Sequence, residues 1–458
     1  MKKNKPAIFL AFLIILLTIV PITNCTPIFK KSYTIINSNT LYVGGTGEGN
    51  YTKIQDAIDD ASNRYTVYVF NDSSPYYENV FVNKSISLIG EDKYTTVIDG
   101  GNIKDTVCVN ADLVTITGFT IQNCSSGGLN TGILILSNYS IIMDNIISKN
   151  EDGIMLKNSN CNTITNNNIN SNNKHGIFIY DSNCNTITNN NISQNHWNGI
   201  CTAISNWNTI TNNNISSNND YGVSLTGSSN SITCNIISSN YEWGIALRAS
   251  QYNAITSNLI SQNEHGGIYI WWDSDNNIIT SNNIISNKID GIYFESSSSN
   301  IITGNNVISN NKHGIILSYD SKSNIITNND ISNNGFLGII LIYSFDNIIT
   351  NNVISSNNWD GIFLQEDSEG NIISDNNISN NEYGIYIHES GSNIILKNNF
   401  ILNKRHAFFS HCKNTWMQNY WGRQRLFPKI IFGTILIQNI DIPCFNIDWH
   451  PVKEPYKI

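Results

Sequence analysis

Between Gly132 and Ala407 the chain alternates apolar and polar residues in three short bursts, and the bursts return every 21 to 24 residues. One unit reads Gly176-Ile177-Phe178-Ile179-Tyr180, then Asn185-Thr186-Ile187-Thr188, then Asn191-Ile192-Ser193. Alternation with a period of two marks a strand with one buried face. No unit holds an apolar stripe of helical spacing and length, which excludes leucine-rich, ankyrin and other helical repeats. The pattern predicts an all-β solenoid, a parallel β-helix with three short strands per coil and about 23 residues per coil. At the β spacing of about 4.8 Å per coil, the repeats would extend roughly 60 Å.

Three columns define the coil. Glycine anchors the first at Gly132, Gly153, Gly176, Gly199, Gly222, Gly244, Gly267, Gly291, Gly314, Gly338, Gly361 and Gly384, with Ala407 in the thirteenth slot. Isoleucine fills a second column from Ile164 through Ile187 to Ile395, and a third from Ile169 through Ile192, Ile285 and Ile308 to Ile401. Stacked isoleucines give a continuous core to a chain with only 40% apolar residues. Asparagine pairs such as Asn166-Asn167, Asn189-Asn190 and Asn351-Asn352 follow the second strand. Asparagine tolerates left-handed backbone angles, so the pairs read as corners whose amides can also bond along the solenoid.

The ends differ from the repeat. Lys2, Lys3 and Lys5 precede an apolar run from Ala7 to Val20, the pattern of a secretion signal or short anchor over residues 1–25. Residues 26–105 read as an N-terminal cap with the first coils, 106–410 as repeats and 411–458 as a C-terminal cap. In the N-terminal cap, Thr52-Lys53-Ile54-Gln55 has the form of a capping box ahead of an Ile54, Ala57, Ile58 and Ala61 stripe. The C-terminal cap concentrates Trp416, Tyr420, Trp421 and Trp449, with a strand expected over Ile430–Ile437.

A net charge of −9 with 13% charged residues suits neither a nucleic-acid binder nor a membrane-surface protein. Sequons at Asn50, Asn71, Asn83, Asn123, Asn138, Asn191, Asn214 and Asn377 fit an exported, glycosylated protein. Cys161 and Cys184 share a slot of adjacent coils and stand within disulfide range, or serve as corner residues. Cys412 and Cys444 could staple the C-terminal cap, and no cysteine spacing matches a zinc site.

Leu41-Tyr42-Val43-Gly44-Gly45-Thr46-Gly47, Tyr77-Glu78-Asn79-Val80 and Thr96-Val97-Ile98-Asp99-Gly100 resemble the opening of pectin methylesterases. The Gly-Ile…Asn-x-Ile-x-x-Asn-x-Ile-Ser repeat is similar to the NosD-like family of periplasmic copper-binding proteins, in the pectin-lyase-like superfamily. Asn419-Tyr420-Trp421-Gly422 resembles the cap that closes such chains. The resemblance implies a right-handed parallel β-helix. It does not carry catalytic residues with it: the pectinesterase, polygalacturonase and pectate-lyase motifs are absent, and Gly118-Phe119-Thr120-Ile121-Gln122 keeps only the core frame. Copper handling, also implied, needs convergent His, Cys or Met. His175 and His313 share a slot but stand six coils, about 29 Å, apart, so no metal ligand is assigned and neither calcium nor copper is expected as a cofactor.

One face could act. In the Gly-Ile strand the second and fourth residues after glycine point outward. There and in the slot before glycine stand Trp243, Tyr269, Trp271, Tyr293, Glu295, Phe363, Tyr386 and His388. Aromatic rings with interspersed acids and His suit a sugar-binding platform, although aromatic residues also favour exposed strands for packing alone. Asp290 with His313, and Asp152 with His175, occupy one slot in adjacent coils and are candidate acid/base couples. The sequence reading is an extracellular or cell-surface β-helix protein that binds a polysaccharide or surface glycan or serves as a structural or adhesive rod. Its partner is no nucleic acid, and the chain has no membrane span beyond the N-terminal segment. The alternatives are a polysaccharide-active enzyme of the pectin-lyase-like class and a copper accessory protein.

Overall fold

Every repeat strand pairs in parallel with its counterpart one coil later. Ile154 lies beside Ile177 and Leu156 beside Ile179 in the first sheet, Ile164 beside Ile187 in the second, and Ile169 beside Ile192 in the third. This computed structural model describes residues 39–458 apart from 129, 426, 438 and 439. The signal or anchor expected over residues 1–25 lies outside them. The third sheet holds 15 strands, and a terminal hairpin, Lys429–Ile437 with Ile440–Asp448, joins the other two into one of 34. No helix among the described residues is long and apolar enough to cross a membrane.

The core is the predicted stack, with one slip. Ile164, Ile187, Ile210 and their successors are fully buried. In the third column, however, Ile284, Val307 and Phe400 face the core, paired with Ile260, Ile284 and Ile378. Ile285, Ile308 and Ile401 end their strands on the outside. Two adjacent apolar residues leave the facing ambiguous, and a one-residue shift turns a strand over. The glycine anchor has a steric cause. A Cβ on Gly176 would sit 2.6 Å from Ile192 Cγ2 and 2.7 Å from the Gly199 carbonyl oxygen.

Each of the three corners follows one rule: a residue with left-handed backbone, then a buried asparagine. In the pairs, Asn166, Asn189 and Asn212 take φ of 57°, 56° and 55°. Their partners Asn167, Asn190 and Asn213 are buried. Asn190 Nδ2 donates to Asn213 Oδ1 at 3.0 Å and to the Ile164 carbonyl at 2.9 Å, while the Asn190 N–H also donates to Asn213 Oδ1 at 2.9 Å. The amide is thus fully partnered in the core, which offsets the cost of burying it. Two further ladders, Asn172–Asn195–Asn218 and Asn162–Asn185–Asn208, occupy the other corners.

The same rule selects between the two readings of the first cysteine pair. Cys161 and Cys184 have φ of 57° and 58°, like Trp207 in the next coil, and both are free thiols. They are corner residues on parallel bond vectors, and a disulfide needs convergent ones. Cys412 and Cys444 are free as well. Cys412 Sγ faces the Ile387 carbonyl at 3.6 Å, and Cys444 lies within the hairpin opposite Gly433.

The helix Ile54–Asp60 buries Ile54, Ala57 and Ile58 as expected, but the capping box does not form. The Glu78 carboxylate instead accepts the N–H groups of Ile54 at 2.8 Å and Gln55 at 3.0 Å. At the other end Trp416 and Trp421 are buried, and so is Asp448.

Candidate functional site

The outer face of the first sheet carries the aromatic groups, and strand register sets their spacing. Tyr269 lies beside Tyr293 and Trp271 beside Glu295 in the strands Gly266–Trp271 and Asp290–Glu295. Side chains two residues apart on one strand share a face, so the Tyr269 and Trp271 rings stack, centroids 4.3 Å apart and 15° from parallel. Tyr293 stacks on Tyr269 from the next coil at 5.3 Å. The Tyr269 hydroxyl donates to the Glu295 carboxylate, and the Ser318 hydroxyl donates to Tyr293 Oη at 3.1 Å. Burial, then the Glu295 bond, raises the Tyr269 phenol above its usual range. The hydroxyl therefore stays protonated and holds the carboxylate in place at the end of the ring stack.

Trp243 plays a different part from the expected one. It is 7% exposed and lies under Tyr269 at 5.2 Å. It fits because the next coil has glycine beneath it: a Cβ on Gly266 would sit 2.3 Å from the Trp243 ring. Trp243 is thus the floor of the cluster rather than a contact surface. Two groups extend the cluster: Tyr221, 6.3 Å from Trp271, and Trp272, 56% exposed with the Arg248 guanidinium 4.2 Å from its ring. Trp272 is an extra residue in a 24-residue coil, a length cue that marks a bulging corner.

The strip continues through Ile316 and Ile340, which pack with Leu337, Tyr293 and Phe363. Phe363 then stacks on Tyr386 at 5.0 Å. His388 ends the strip, its ring 6.4 Å from that of Tyr386 and 5.5 Å from that of His411.

The acid/base couples do not form. Asp290 accepts the backbone N–H of His313 at 3.0 Å, and Asp152 that of His175 at 2.9 Å. Asp360 does the same for Tyr383 at 3.2 Å. These aspartates tie one coil to the next, and the Nδ1 atoms of His175 and His313 find no partner among the described residues. Burial pushes Asp152 and Asp290 up to about 6 and His175 and His313 down to about 4. A separate concavity of about 480 Å³, lined by Tyr42, Phe70, Asn71, Asp72 and Glu91 among others, lies in the first coils away from the strip.

The model of the family described as periplasmic copper-binding protein (NosD) matches residues 34–219 and 272–433, well over half of the sequence. The chain belongs to the NosD family. A model of right handed beta helix regions matches residues 198–325. No curated protein matches the sequence. Among solved structures, Dettilon tailspike protein (gp208) is similar with a TM-score of 0.50 and 16% identity, over 64% of this chain and 67% of that one. The catalytic domain of a GH87 alpha-1,3-glucanase in complex with nigerose is similar with a TM-score of 0.52 and 14% identity, over 69% and 68%. At such identities the likeness shows the fold: a right-handed parallel β-helix.

The copper in the NosD family's description calls for imidazole, thiolate or thioether groups that converge. Among the described residues, His388, Glu389 and His411 bring one ligand atom each within 4.8 Å of one another, and two imidazoles with a carboxylate fit divalent copper. The sequence carried a signal for this group: His411 stands 22 residues, one coil, after Glu389, the neighbour of His388.

Proposed function

We propose that this NosD-family chain is an exported surface protein that binds a polysaccharide chain along the first sheet, on Tyr269, Trp271, Tyr293 and Glu295. The stacked ring cluster carries the reading. Pyranose rings present apolar C–H faces that pack on aromatic planes, while a fixed carboxylate and phenol hydroxyls bond the sugar hydroxyls. Phe363 and Tyr386 supply a second aromatic pair farther along the same column, so a polymer running along the solenoid would meet both.

Binding without turnover is the favoured form. Glycoside chemistry needs an acid and a base or nucleophile facing one bond, whereas Asp152 and Asp290 are engaged in bonds to the next coil. Affinity electrophoresis through gels holding acidic or neutral polysaccharides tests the reading, with a parallel assay for new reducing or unsaturated ends. Retardation by at least one polymer without new chain ends is expected. New ends that appear with the wild type and vanish in Asp290→Ala would establish the enzymatic alternative instead.

A further inference from the structure

We infer that His388, Glu389 and His411 bind one divalent transition-metal ion of the borderline class, zinc or copper(II), where the last full coil meets the terminal hairpin. The position follows from the coil geometry. His388 ends the strand Tyr383–His388 and pairs with Ser410, so the next residues, Glu389 and His411, are stacked neighbours. Both have left-handed backbone, with φ of 48° and 57°, which turns their side chains outward at the same corner.

The distances suit a metal ion. Glu389 Oε1 lies 3.8 Å from His388 Nε2 and 3.3 Å from His411 Nδ1. Ligands about 2.0–2.1 Å from a tetrahedral ion stand roughly 3.3 Å apart, so the Glu389–His411 pair already fits, and His388 would have to close in from a group spread over as much as 4.8 Å. The second nitrogen of His411, Nε2, faces the Asp441 carboxylate of the hairpin. Metal-bound histidines characteristically donate their other N–H to such a group, which fixes ring and tautomer. Both ring nitrogens of His411 face carboxylates, Glu389 through Nδ1 and Asp441 through Nε2, so a metal ion at Nδ1 takes the place of the proton that otherwise bridges His411 to Glu389. His388 presents Nε2 to the site, and its Nδ1 has no partner among the described residues, so the supporting carboxylate belongs to His411 alone. Imidazole nitrogens with a single carboxylate favour zinc and copper over calcium and magnesium, which take oxygen ligands. Glu389 is half-exposed, which leaves the fourth position to water or to a group from outside.

The test is isothermal titration of untagged, chelator-treated protein with Zn²⁺, Cu²⁺ and Ca²⁺, together with electron paramagnetic resonance of the Cu²⁺ form. One equivalent of Zn²⁺ or Cu²⁺ is expected to bind and Ca²⁺ not to. Cu²⁺ should show coupling to two nitrogens. His388→Ala and His411→Ala should each weaken binding at least 100-fold, and Asp441→Asn about 10- to 100-fold. His265→Ala, elsewhere on the solenoid beside Glu242, should leave it unchanged. The proposal is overturned if the wild type takes up no equivalent at micromolar ion, if binding survives the double His388→Ala/His411→Ala replacement, or if the copper spectrum lacks nitrogen coupling. The spectrum is read on the wild type, so a variant that fails to fold does not shelter the idea.

Discussion

Asn419 donates its side-chain N–H to the buried carboxylate of Asp448 at 3.2 Å, and that bond ends the column of asparagine amides that starts at Asn145. Every amide in the column points one N–H toward the C-terminal end, so the last position requires an acceptor. Asp448 also takes the backbone N–H groups of Gln418 and Asn419 and the Trp421 indole N–H at 3.1 Å. Asp448→Ala leaves these buried donors unpaired. Since each such group costs about 1–3 kcal/mol, the variant should lose at least about 3 kcal/mol in chemical denaturation, with hydrogen exchange rising first around residues 415–421.

Glu78, not Thr52, caps the N-terminal helix. Glu78→Ala should cost about 1–2 kcal/mol, the scale of a lost cap, whereas Thr52→Ala should change stability by less than about 0.5 kcal/mol. Equal losses in a denaturation experiment would restore the capping box.

The fit of Trp243 over Gly266 predicts coupling. Gly266→Ala drives a methyl group into the indole and should destabilise by about 1–3 kcal/mol. Adding Trp243→Ala should recover part of that loss, a positive interaction in a double-mutant cycle. Purely additive effects would show that the contact is not the cause.

Burial raises Asp290 from 3.8 to about 6. The native state therefore holds this proton more tightly than the unfolded chain, so its contribution is full below about pH 4 and is lost as pH rises through 6. Asp290→Asn keeps an acceptor for the His313 N–H without the buried charge. Its stability relative to the wild type should grow between pH 4 and 6 and level off at about 3 kcal/mol, two pKa units at 1.36 kcal/mol each. His313, lowered to about 4, acts oppositely and destabilises the fold as pH falls below 6.5. The wild type should for that reason show a shallower profile than Asp290→Asn over this window, which denaturation midpoints at several pH values would reveal.

Much of this was legible in the chain. Period, strand count, isoleucine columns and the apolar face of the first helix all follow from alternation, which depends on neighbours in sequence. What failed depends on neighbours in space. Ile285 and Ile308 were misplaced because each follows another apolar residue, and only the stacking partner decides which of the two turns inward. The Asp290–His313 proximity was correct, but sequence does not say whether backbone or side chain makes the bond. Trp243 read as a surface ring because its cover comes from Tyr269 one coil on, although the doubled Gly266-Gly267 was a cue that something large lies against that strand. His388 and His411 do not stand out as a pair because His411 falls just beyond the strand, in the corner column.

The glycan-binding claim is tested most directly by isothermal titration with whichever polysaccharide retards the wild type, comparing it with the Trp271→Ala/Tyr293→Ala variant and confirming that both share one thermal transition. The ring platform predicts at least a tenfold loss of affinity in the variant, about 1.4 kcal/mol. Equal affinities in two equally folded proteins would contradict it.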